Sequence, residues 1–106
     1  MQIVITVVAK PGSSLRDVIV RDSKLEDYNL RVAAMKDRQR ANGWSKLHGE
    51  GVAGAVNIQW LAHSSILLCR VVNRAGGRPG KITGYLTDYL LSRHRKRIIS
   101  VHITSA

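Results

Sequence analysis

The sequence predicts an α+β fold: a mostly antiparallel sheet of four to six strands with one long C-terminal helix packed on one face, followed by a final strand. Three observations carry this expectation. Short β-branched segments, separated by Gly, Pro and Asn-Gly turn signals, run as far as Asn73. Ile82, Tyr85, Leu86, Tyr89 and Leu90 then fall on one stripe at helical spacing. Finally, Ile99, Val101 and Ile103 alternate with Ser100, His102 and Thr104.

Taken in order, Gln2 to Ala9 is rich in Ile, Val and Thr and reads as the first strand. Lys10-Pro11-Gly12-Ser13-Ser14 is a turn, because Pro presets φ and Gly admits positive φ. Arg16 to Arg21 reads as a second strand, since Val18-Ile19-Val20 are three β-branched residues in a row. A helix after Ser14 is its rival, because Leu15, Val18 and Ile19 also fit a 3.6-residue period. Asp22 to Asp27 is polar and reads as a loop. Asn29 to Arg38 is a third strand with Leu30, Val32 and Ala34 on one side. Lys36, Arg38 and Arg40 share that parity, so a bulge near Met35 or the end of the sheet is needed.

Ala41-Asn42-Gly43 is a turn signal, and Trp44 to His48 returns as a short strand. Ala55 to Ala62 and Ile66 to Asn73 form a hairpin around His63-Ser64-Ser65. Its second arm is apolar almost throughout and is expected near the centre of the sheet. Pro79 suits the first turn of the long helix, and Arg93 to Arg97 close it with positive charge at the negative end of the macrodipole. Ile98 to Thr104 is the last strand, placed at an edge. One helix covers only part of such a sheet. The other face is then solvated, binds something, or packs on a second copy, so a homodimer is one expectation.

A chain of 106 residues is expected to be one domain, 1–106, with a core large enough to fold without staples. Charge is the anomaly: 17 Lys and Arg stand against 7 Asp and Glu, a net of +10. Up to Leu30 the charges balance, Lys10, Arg16, Arg21 and Lys24 against Asp17, Asp22, Glu26 and Asp27, so the whole excess lies later. That asymmetry favours a localised cationic surface whose partners are polyanions. The single Cys69 lies in an apolar run and reads as a buried, inert thiol. Without a disulfide framework or a basic leader, a cytoplasmic location is expected. The longest uncharged stretch, Gly51 to Cys69, is interrupted by Asn57, Gln59, His63, Ser64 and Ser65 and is not a membrane span, so no membrane partner is expected.

Enzyme motifs fail. No Walker pattern or strand-linked GxGxxG occurs. Gly76-Gly77-Arg78-Pro79-Gly80-Lys81 places Lys81 before a helix N-terminus, where free N–H groups attract anions, but no carboxylate is spaced to hold magnesium. His48, His63, His94 and His102 lack metal-ligand spacing, and the acids form no catalytic pair. No catalytic residue, metal or cofactor is assigned.

Three basic clusters remain. Arg31, Lys36, Arg38, Arg40 and Lys46 surround Trp44; Arg70, Arg74, Arg78 and Lys81 bracket the glycine turn; Arg93, Arg95, Lys96 and Arg97 follow the helix. Most are Arg, whose planar fork suits phosphate. Trp44 offers an indole on which a base can stack, whereas Trp60 shares parity with Val56 and Ile58 and belongs in the core. The sequence therefore points to a non-enzymatic nucleic-acid-binding protein using Arg31, Lys36, Arg38, Arg40, Trp44, Lys46, Arg74, Arg78, Lys81, Arg95 and Arg97, with DNA or RNA as partner and little sequence preference. An interaction module docking an acidic partner is one alternative. A small ligand-binding domain or enzyme, with a pocket between helix and sheet near Tyr85, Tyr89 or a His, is another.

Overall fold

The computed structural model describes residues 2–33, 44–73 and 77–105. Along these residues run β1 (Gln2–Ala9), α1 (Leu15–Arg21), a 3-10 turn (Leu25–Tyr28), β2 (Leu30–Val32), β3 (Trp44–Gly49), β4 (Ala55–Leu61), β5 (Ile66–Val72), α2 (Pro79–Arg93) and β6 (Ile98–Ser105). The six strands form one sheet in the order β2-β3-β4-β5-β1-β6. Every neighbouring pair is antiparallel. The fold is α+β, with the long helix and the final strand where the periodicity places them.

Strand alternation divides the sheet into two faces. Ile5 pairs with Cys69, Cys69 with Ile58, Val7 with Leu67, and Val71 with Val56, which in turn faces Leu47. These side chains are buried and meet Ile82, Leu86, Tyr89 and Leu90 of α2 together with Leu15 and Ile19 of α1. Both helices therefore lie on the same face, and fully burying each Leu or Ile there contributes about 1.5–3 kcal/mol. Burial also pushes the Cys69 thiol far above its ordinary range, as expected of an inert thiol.

Three expectations are corrected. Arg16 to Arg21 is helix, not strand. Ser14 caps it by accepting from the Asp17 N–H at 3.2 Å, and Leu15 and Ile19, one turn apart, are wholly buried. Capping and burial of that pair outweigh the weak helix propensity of Val18-Ile19-Val20. The polar stretch after Asp22 contains a 3-10 turn that buries Leu25. Helix α2 ends at Arg93, so Arg95, Lys96 and Arg97 belong to the connection into β6 rather than to the last helical turn. The third strand is present as Leu30–Val32, and its expected continuation from Ala34 to Arg38 lies outside the described residues.

Candidate functional site

The face of the sheet turned away from both helices is built by the residues of opposite parity. One row across it runs Trp44, Gln59, Leu68, Thr6, His102. The next runs Lys46, Asn57, Arg70, Val4, Thr104, and a third runs Arg31, His48, Ala55, Val72, Gln2. No described helix covers these rows: Arg31, Arg70 and Val72 are exposed, and Trp44, Lys46, Asn57, Gln59, Val4, Thr6 and Leu68 are half-buried.

Cross-strand pairing brings together cations that are distant in sequence. Arg31, Lys46 and Arg70 come from β2, β3 and β5, yet all stand on this one face. The Arg70 guanidinium lies 5.4 Å from the centre of the Trp44 ring, which holds positive charge over the indole. The described strands contain no Asp or Glu, and every described acid lies in a helix, the 3-10 turn or a connection. Among the described residues Lys46 and Arg70 have no strand carboxylate beside them, whereas Arg31 lines a recess of about 410 Å³ together with Glu26 and Glu50; screening in salt acts over about 8–10 Å.

The other expected residues divide differently. Arg78 and Lys81 line a shallow recess of about 300 Å³ with Gly51, Val52, Ala53 and Gly77, where the β3–β4 connection meets the start of α2. Arg95 and Arg97 border an open depression of about 510 Å³ after α2. Arg97 is turned inward: its guanidinium donates to the carbonyls of Ser13 at 2.7 Å and Lys10 at 3.0 Å and sits 5.5 Å from the centre of the Trp60 ring. It ties the connection into β6 to the turn after β1. Lys36, Arg38, Arg40 and Arg74 lie outside the described residues. The residue missing from the expected set is Arg70. Its neighbours in sequence associate it with the glycine turn, whereas its register on β5 places it with Lys46 and Trp44.

A pocket between helix and sheet, as the ligand-binding alternative requires, is not what Tyr89 forms. Tyr89 is wholly buried in the core. Its hydroxyl donates to Asp22 Oδ2 at 2.8 Å and lies 2.8 Å from His94 Nε2. The hydroxyl has one proton; with Asp22 accepting it, His94 donates from Nε2. Arg93 donates to both carboxylate oxygens of Asp22, at 3.1 and 3.2 Å. These hydrogen bonds hold the Asp22 carboxyl down at about 2 against the opposing effect of burial. Burial raises the Tyr89 hydroxyl beyond its ordinary range, with Asp22 adding to the effect, and lowers His94. The cluster is a latch joining the end of α1 to the end of α2.

No family model, curated protein or solved structure matches this chain.

Proposed function

We propose that this chain is a non-enzymatic nucleic-acid-binding protein that lays a single strand across the open face of its sheet. In this reading Arg31, Lys46 and Arg70 contact phosphates, and Trp44 stacks a base beside the Arg70 guanidinium. The observation that supports it is one face that no described helix covers, whose described strands contain no acid and which carries Arg31, Lys46 and Arg70, the last of them over the Trp44 indole. A sheet face of this kind suits single strands, because unpaired bases expose their flat faces to an aromatic ring and stacking tolerates any base. Phosphate contacts add affinity without sequence information, which implies weak preference among sequences.

The test is fluorescence anisotropy with labelled single-stranded and duplex oligonucleotides, DNA and RNA, over a salt series. Single strands are expected to bind more tightly than duplexes. With three phosphates neutralised, log K is expected to fall with log salt at a slope of about −2. Absence of salt-dependent binding to any single strand at low ionic strength overturns the reading. Equal binding of polyglutamate assigns the face to an acidic protein partner instead.

A further inference from the structure

The two edges of the sheet are unlike. The described part of β2, Leu30–Val32, carries Arg31, a charge of the kind that discourages pairing at an edge. β6, at the other edge, is eight residues long and contains no Lys, Arg, Asp, Glu, Pro or Gly. Ile99 is 62% exposed and Ile103 55% exposed, the two most exposed large apolar side chains described.

The direction of the β6 backbone groups follows from two hydrogen bonds of β1 and its turn. The Ala9 N–H donates to Ser65, toward β5, and the Lys10 N–H donates to Arg97, toward β6. Alternation then turns the N–H and C=O of Thr6 and Val4 toward β6 as well. Their partners His102 and Thr104 spend their backbone groups on β1, as does Ser100 opposite Val8. Val101, Ile103 and Ser105 accordingly aim their N–H and C=O outward along an edge that no other described strand pairs, while Ile99 sits at a register irregularity opposite Val8 and Ala9, where the alternation is interrupted.

We propose that β6 pairs antiparallel with β6 of a second copy, about a two-fold axis at Val101. Side-chain classes around Val101 read the same in both directions: Ser100 and His102 flank it, and Ile99 and Ile103 lie beyond. In this register the ladder is centred on the Val101 pair, and the side chain of Ile99, at the irregular end of the strand, comes beside the partner's Ile103, so each strongly exposed isoleucine gains an apolar neighbour. A two-fold axis makes one strand its own complement. The outward backbone groups call for a strand, and the residue pattern makes the second copy the strand that fits. The absence of formal charge along β6 lets two chains of net +10 approach there without a like-charge pair at the contact. This inference rests on the edge alone and is independent of what the open face binds.

Sedimentation velocity on the full chain without nucleic acid, over the micromolar range, tests it. The expected result is a concentration-dependent dimer. Ile103→Lys places ammonium groups within the contact and is expected to leave only monomer, with circular dichroism unchanged. Val101→Pro removes an outward N–H that β1 does not use, and is expected to do the same. Should Val101→Pro not fold, Ile103→Lys decides. A wild-type chain that stays monomeric throughout the range, or an Ile103→Lys variant that still dimerises, overturns the proposal.

Discussion

Arg70 of β5 reaches across β4 to place its guanidinium 5.4 Å from the centre of the Trp44 ring on β3. The contact joins the second and fourth strands of the sheet on the open face, and it is where charge and stacking surface meet. Trp44→Ala is expected to weaken single-strand binding by roughly 5- to 150-fold, the equivalent of about 1–3 kcal/mol for one stacked base. Trp44→Phe retains part of that affinity. In a Trp60→Phe background, Trp44 fluorescence is expected to be quenched on titration with unlabelled oligonucleotide. A Trp44→Ala variant that binds as wild type removes the indole from the site.

Arg70→Gln and Lys46→Gln test the phosphate contacts. Each is expected to weaken binding about equally for all sequences and to make the salt slope shallower by about 1. The double variant is expected to lose both increments, measured by anisotropy over the same salt series.

Arg97→Ala separates a structural arginine from a binding one. Its loss removes hydrogen bonds to the carbonyls of Lys10 and Ser13 and the contact with Trp60. Thermal or urea unfolding is expected to show a loss of about 1–3 kcal/mol. Oligonucleotide affinity at a temperature where the variant is folded is expected to stay near that of wild type.

The latch of Asp22, Tyr89, His94 and Arg93 makes stability fall with acid in two windows. His94 is lowered in the folded chain, chiefly by burial, so the unfolded chain binds its proton first. Stability is then lost as pH falls below about 6.5. Asp22 is held at about 2 in the folded chain against an ordinary 3.8, so its contribution is complete above about pH 4 and disappears as pH falls toward 2. Allowing for solvent screening at the half-exposed Arg93, that second step is on the order of 1 kcal/mol. Melting temperature measured from pH 7 to pH 2 is expected to show both steps. His94→Gln is expected to flatten the upper one only.

Gly54 is held at φ +107°, and a Cβ there would meet the Val72 carbonyl oxygen at 2.6 Å. Gly54→Ala is expected to cost more than about 1 kcal/mol in urea unfolding. Gly51 also has positive φ, at +68°, but a Cβ there meets nothing within 4 Å. Gly51→Asn, which tolerates the left-handed region, is expected to cost less.

Much of the fold was legible along the chain. β1, the β4–β5 hairpin, α2 and β6 each show one clear periodicity, because each presents a single face to one core. Helix α1 was legible only as a rival to a strand, since Val18-Ile19-Val20 suits a strand and the Ser14 cap together with burial of Leu15 and Ile19 decides for helix. The cations of the open face are legible singly in the sequence, but their grouping is not. Arg31, Trp44 and Lys46 stand near one another in the sequence, so charge and the adjacent indole already associate them. Arg70 stands beside the glycine turn in sequence, whereas cross-strand register with Asn57 and Val4 places it on the same face as Lys46, which neighbours in sequence do not reveal.

β1 lies between β5 and β6, the two strands furthest along the chain. A strand rich in Ile and Val, next to the edge strand of the sheet, therefore comes first in this sequence and takes both its neighbours from the second half of it. Its first strand partner, β5, lies at Ile66–Val72 and its second, β6, at Ile98–Ser105. Such a topology makes completion of the sheet depend on contacts distant in sequence and places its assembly among the slower, milliseconds-to-seconds reactions of chains dominated by such contacts.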